Sequence, residues 1–158
     1  MTGSIGEFTF ATAGRIIFGR GRAAEAPALI TRFGSRVLLV HGRSPERAAW
    51  LREALEAAGA RVMSIACPGE PTLAMVQEGL AVARAANTGV VVSLGGGAAI
   101  DLGKAIAALI AADGDALDYL EVVGRGLPLP AAPLPFIAIP TTAGTGGGGD
   151  EKRRHRGA

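Results

Sequence analysis

The sequence predicts an α/β fold, a parallel sheet with helices on both faces. Two observations predict it. Short continuous apolar runs alternate with longer segments whose apolar residues recur at helical spacing, the signature of β-α-β units. The composition agrees: 49% of the 158 residues are hydrophobic and only 4% aromatic, with 24 glycines and 9 prolines for turns. Such a chain builds its core from Ala, Val, Leu and Ile and is too apolar to stay disordered.

Taken in order, FTFATAGRIIF (8–18) alternates loosely around Ala13-Gly14 and predicts a small N-terminal β-hairpin. RAAEAPALITRFG (22–34) has helical spacing and closes on Gly34 as a helix stop. RVLLVHG (36–42) reads as the first buried strand. The next helix takes Ser44 as N-cap, Pro45 at its first position and Gly59 as its stop, with Trp50, Leu51, Ala54, Leu55 and Ala58 as its apolar stripe. RVMSIA is a strand, and the helix after it starts from Thr72 as N-cap. GVVVSL is a third strand, and GGGAAIDLGKAIAALIAADG is a glycine loop opening into an apolar helix. DALDYLEVV suggests a short helix, the proline-rich stretch 126–135 a loop, and LPFIAIP the fourth strand. The crossovers should be right-handed.

Charge excludes a nucleic-acid partner. The net charge is +2, and residues 150–158 alone carry that excess, through Lys152, Arg153, Arg154 and Arg156 against Asp150 and Glu151. The remaining residues are balanced, whereas a nucleic-acid binder shows a basic face within its fold. The single cysteine, Cys67, reads as a buried structural thiol and fits a reducing compartment. No signal peptide is evident, and the longest apolar run, Ala105 to Ala112, is far short of the roughly 18 residues of a membrane span. The expectation is a cytoplasmic protein without a membrane partner.

Ligands of open α/β sheets bind at the carboxyl ends of the strands. Three strand ends here carry unusual residues: His41-Gly42-Arg43-Ser44, Gly95-Gly96-Gly97, and Pro140 to Gly146. The triple glycine lets a ligand approach the backbone and leaves amide N–H groups at a helix N-terminus, where a phosphate is favoured. Asp101 reads as a first-turn carboxylate partnered by Lys104. The dinucleotide fingerprint G-x-G-x-x-G fails because Ile100 stands at the third glycine. The nucleotide-triphosphate loop G-x-x-x-x-G-K-[ST] fails at Ala98 and Ala105, which leaves no hydroxyl for Mg²⁺. Thr141, Thr142 and Thr145 offer hydroxyls for pyrophosphate and ribose oxygens, or else satisfy their own backbone in a turn.

SLGGGAAIDLGKAIA (93–107) together with PLPFIAIPTTAGTG (133–146) resembles the iron-containing alcohol dehydrogenases, and RIIFGRG and PGEPTLAMVQEGLAVARAA are similar to that family too. The resemblance implies a Rossmann-like dinucleotide-binding domain over residues 1–146. It implies NAD or NADP as cofactor and, in a separate C-terminal helical domain, an aspartate and histidines holding a divalent metal, iron or zinc. Carried onto this sequence, Gly95, Gly96 and Gly97 match the pyrophosphate loop, and Thr141, Thr142 and Thr145 match the cofactor-lining threonines. Ala98 stands where the family has serine, so a hydroxyl donor is lost while the backbone donors stay. Gly42 stands where many NAD-preferring members have an aspartate, and Arg43 beside it makes NADP admissible.

Nothing after Gly146 follows the family pattern. The expectation for residues 147–158 is a disordered tail, with the helical metal-binding domain absent. His41 and His155 stand in unrelated contexts, so neither catalytic nor metal-binding residues are expected, and alcohol turnover by this chain alone is not expected. A small alcohol or aldehyde would be its substrate only with the missing domain present, and the uncovered apolar surface would favour self-association. Two other readings stay open: a non-catalytic nucleotide-binding module or remnant, and a relative in the glycerol dehydrogenase or dehydroquinate synthase branch.

Overall fold

A computed structural model describes residues 13–112, 114, 116–119 and 124–143. Its elements follow the chain as α1 (Ala26–Ile30), β1 (Arg36–His41), α2 (Ala49–Ala57), β2 (Arg61–Ala66), α3 (Leu73–Ala85), β3 (Val90–Gly95), α4 (Gly97–Leu109) and β4 (Phe136–Pro140). Short 3-10 turns precede α1 and α2, and another spans Ala116–Tyr119. The four strands form one sheet in the order β2-β1-β3-β4, every pair parallel.

The burial of each strand follows its place. β1 is buried from Val37 to His41 and β3 throughout, because helices cover both faces of the central strands. β2 and β4 lie at the edges and are only partly covered. One core cluster joins Leu38, Val40 and Val91 to α3 and α4, and the other joins Val37, Leu39, Val90 and Val92 to α1 and α2. The chain moves from β1 to β2 by α2 on one face. It then moves the opposite way across the sheet, to β3 and on to β4, by helices on the other face. Opposite directions on opposite faces give all three crossovers one hand, as the chirality rule demands.

Helix ends show why the sequence stops where it does. Gly59 takes φ +83, Ala60 N–H reaches Leu55 O at 3.0 Å, and Gly59 N–H reaches Glu56 O at 2.9 Å, the paired bonds of a left-handed cap. Asn87 does the same after α3 at φ 49, with Thr88 N–H on Ala83 O and its own N–H on Arg84 O. The Thr72 hydroxyl caps α3 by accepting from Met75 N–H at 3.3 Å. Arg84 then forks across the end of α4, donating to the carbonyls of Leu109, Ile110 and Ala112 at 3.2, 3.1 and 2.7 Å. A cation on those last carbonyls also meets the negative end of the helix dipole.

Five local expectations need correction. Residues 13–18, the described part of the expected hairpin, contain no strand; residues 8–12 lie outside the described residues. The helix expected over 22–34 is a 3-10 turn at Arg22–Glu25 followed by only five α-helical residues. It ends early, as Arg32 and Phe33 N–H turn to carbonyls three residues back, Leu29 O at 3.3 Å and Ile30 O at 2.9 Å, and Gly34 is not among the left-handed glycines. Ser44 has extended backbone but its hydroxyl caps nothing, since Pro45 opens a 3-10 turn rather than the α-helix. Trp50 is 40% exposed and Ala58 is exposed, so α2 buries Leu51 and Leu55 on a narrower stripe than expected. Asp101 is the fifth residue of α4, beyond its first turn, because the helix already begins at Gly97.

Candidate functional site

The strand order places the reversal of chain direction between β1 and β3, the position where open α/β sheets leave a crevice at their carboxyl edge. Gly42 follows β1 on one side of it and Gly95 ends β3 on the other. A Cβ on Gly95 would lie 3.4 Å from Gly42 N and only 2.8 Å from Ala99 Cβ. The backbones of two strand ends and a helix therefore meet where there is no room for a side chain. This close approach is the physical reason for glycine at that position.

Gly96 is the N-cap of α4, with extended backbone and no side-chain capping bond, and Gly97 and Ala98 are the helix's first two residues. The first intrahelical bond of the turn is from Ile100 N–H to Gly96 O. The N–H groups before it have no carbonyl within the helix to meet, and they carry the positive end of its dipole. On the far side, Thr141 N–H donates to Gly95 O at 2.9 Å, extending the β3–β4 ladder by one bond past Pro140. A Cβ on Gly96 would stand 3.6 Å from Thr142 Oγ1, so the threonine hydroxyl borders the glycine loop directly. Gly42, the Gly95–Ala98 loop, Thr141 and Thr142 thus share one edge of the sheet. Thr145 lies outside the described residues.

Arg43 is exposed and donates to Pro68 O at 3.2 Å, bridging the turns after β1 and β2. His41 ends β1 at the same crevice. It is buried, and its Nδ1 lies 2.7 Å from Gly42 O. A carbonyl only accepts, so Nδ1 carries the proton, and the ring fixes the Gly42 peptide at the crevice wall. Sequence reasoning does not single out Ser93. Its hydroxyl is fully buried in β3 and donates to Ala99 O in the first turn of α4. The available signal was one hydroxyl in the apolar run VVVSLG.

Cys67 is buried beside this edge, its N–H on His41 O at 2.7 Å and its thiol on Gly69 O at 3.2 Å. Burial pushes its pKa above the ordinary value, partly offset by a backbone hydrogen bond at Gly69, with the negative charges of Glu70 and Asp101 adding to the rise. A raised pKa in the folded state favours the thiol. The stability it contributes is present below the unfolded value of about 8.5 and is lost as pH climbs through the folded one. Denaturant midpoints measured from pH 7 to pH 10.5 should therefore fall less steeply for Cys67→Ala than for the unaltered chain. Identical slopes would contradict the assignment.

With the geometry established, comparison with known proteins decides the lineage. Residues 13–148 match the family model described as iron-containing alcohol dehydrogenase. The chain belongs to that family. This iron-containing alcohol dehydrogenase relative is 35% identical over 144 residues to the probable NADH-dependent butanol dehydrogenase 1 of Bacillus subtilis, an alignment covering 88% of the chain and 36% of that protein. Among solved structures it resembles the sulfoacetaldehyde reductase of Bifidobacterium kashiwanohense in complex with NAD+, at TM-score 0.71 and 28% identity, covering 88% of this chain and 37% of the other. It also resembles the iron-containing alcohol dehydrogenase of Thermococcus thioreducens, at TM-score 0.70 and 30% identity over 85% of this chain and 37% of that one. The chain therefore spans about a third of the length of these relatives.

The family name implies iron. Among the described residues no three His, Cys, Asp or Glu side chains come together to hold a metal ion, so these residues do not by themselves provide a metal centre. A dinucleotide is a different matter: uncapped amides at the start of α4, a close backbone approach at Gly95 that leaves no room for a Cβ, and a bordering Thr142 hydroxyl are compatible with a pyrophosphate. Among the described residues no helix is long and apolar enough to cross a membrane.

Proposed function

We propose that this chain is the NAD(P)-binding part of a metal-dependent alcohol dehydrogenase, organised as a dinucleotide-binding domain over residues 1–146 with a tail over 147–158. The observation that carries the reading is the Gly95–Ala98 loop itself, which meets Gly42 at the β1–β3 reversal of strand direction and is bordered by Thr141 and Thr142 on its β4 side. In this reading the amides of Gly96, Gly97 and Ala98 hold the pyrophosphate and the hydroxyls of Thr141, Thr142 and Thr145 take pyrophosphate or ribose oxygens. Gly42 leaves room at the adenosine end. The bound nicotinamide supplies the chemistry, accepting or donating a hydride against an alcohol or aldehyde. The chain's own task is binding and orientation.

NADP is proposed as an accepted cofactor beside NAD. Arg43 is spent on the neutral carbonyl of Pro68. A hydrogen bond to an ionised phosphate is roughly twice as strong, so a 2′-phosphate in reach would draw the guanidinium away. Self-association is proposed on the exposure of Phe18 at 98%, Ile16 at 74% and Phe33 at 56%. A cytoplasmic location rests on the single buried thiol.

Titrating the 158-residue chain with NADH and NADPH, by the fluorescence of the bound nicotinamide, tests the reading. Binding of both is expected, with Arg43→Ala weakening NADPH by about tenfold and leaving NADH unchanged. Equal affinities in both proteins would end the NADP proposal, and no binding at all would end the nucleotide reading. With Fe²⁺ or Zn²⁺ and a primary alcohol, the chain alone is expected to bind without turnover. Clear turnover would show that it carries the catalytic metal itself.

A further inference from the structure

Ser93 has no exposed surface and is the one hydroxyl in an otherwise apolar strand. A buried hydroxyl is costly unless paired, and here Oγ donates to Ala99 O at 2.9 Å. That carbonyl belongs to the third residue of α4, so the helical ladder already supplies it with a donor four residues on. The serine bond is therefore not needed to form the helix. It ties the strand to the helix's first turn, six residues further along the chain.

Gly103 completes the tie. A Cβ there would intrude on Ser93 Oγ and stand 3.4 Å from Ser93 Cβ and 2.9 Å from Phe136 Cε2. The helix therefore lies against β3 at a distance only glycine permits, with the serine hydroxyl filling the contact. Between the two tied points runs the Gly95–Ala98 loop, with Gly95 itself pressed to Ala99.

We propose that Ser93 is a positioning residue for dinucleotide binding: its hydroxyl, seated against Gly103 and bonded to Ala99 O, sets the tilt of α4 and so the aim of the Gly97 and Ala98 amides. This rests on the nucleotide reading above. Ser93 acts through the Ala99 carbonyl and touches no ligand itself.

The test uses the full chain with Ser93→Ala, Gly103→Ala, the double variant, and Ile30→Val as a core change on the opposite face. ADP-ribose affinity, melting temperature and amide exchange at residues 97–100 are measured for each. Ser93→Ala should fold, bind ADP-ribose roughly fivefold more weakly, and exchange faster at residues 97–100. Ile30→Val should lower the melting temperature without changing affinity. Gly103→Ala should melt lower still. The double variant should regain part of that loss, since Oγ is gone, while its affinity stays low.

Unchanged affinity in Ser93→Ala, or affinity that follows melting temperature across all four variants, overturns the proposal. Should Gly103→Ala not fold, Ser93→Ala against Ile30→Val still separates positioning from packing. If the unaltered chain fails to bind ADP-ribose, the nucleotide reading falls with this role. The exchange measurement, which needs no nucleotide, then still reports whether Ser93 orders the loop.

Discussion

Gly103→Val should cost the fold about 3 kcal/mol or more, the upper range for overpacking a close-packed interior. The first added carbon already meets Phe136 Cε2 and Ser93 Oγ, and the latter is held by its bond to Ala99 O. Ser93 is held in a central strand, while Phe136 is in the strand hydrogen-bonded beside it. Two further methyl groups would push α4 off β3, and with it the core that α4 shares with Leu38, Val40 and Val91. Urea unfolding checks it: a midpoint within error of the unaltered chain would mean that the helix has slack. Gly79, on α3, is the instructive contrast. Its nearest obstacle is Ile106 Cδ1, the tip of an aliphatic side chain with no hydrogen bond to lose. Alanine at Gly79 also gains up to about 1 kcal/mol of helix propensity, so the same kind of contact carries a much smaller penalty there.

Gly95→Val should leave a folded chain that binds NADH at least about tenfold more weakly, through loss of the backbone approach that phosphate binding requires. Its Cβ would come within 2.8 Å of Ala99 Cβ and 3.4 Å of Gly42 N, wedging the crevice between the two strand ends. Gly95 is the last residue of β3, beside the half-buried Gly42 and Gly96, so stability should suffer less than in Gly103→Val. Fluorescence titration beside a thermal melt separates the two. Affinity that survives the substitution would move the pyrophosphate elsewhere.

Much of this was legible before any coordinates. Parallel strands buried on both faces must be almost continuously apolar, and VLLV is throughout, while VVVSL is but for Ser93. Thr72 and Gly59 announced a helix start and stop because capping depends on a few adjacent atoms. Where local signals competed, the reading failed. Pro27, with no N–H to give the turn before it, keeps the α-helix from running back over Arg22–Glu25, and Trp50 sits at a helical position left 40% exposed.

The same limit applied at the edge of the site. Glycines 95 to 97 could be placed because a strand-to-helix turn needs them in sequence. The Ser93–Ala99 bond and the Gly103 contact could not, since they depend on how closely a helix settles onto a sheet. In the sequence Gly103 stands out only as a glycine position of the nucleotide-triphosphate loop. It serves packing instead.

Arg84 has one more consequence. Its guanidinium holds the far end of α4, about 20 Å from the glycine loop for a 13-residue helix. Ser93 holds the near end. A rod gripped at both ends neither swings nor slides, so an anion arriving at Gly97 meets a surface already in place. Its arrival should be registered as quieting of a few amides and not as travel of the helix.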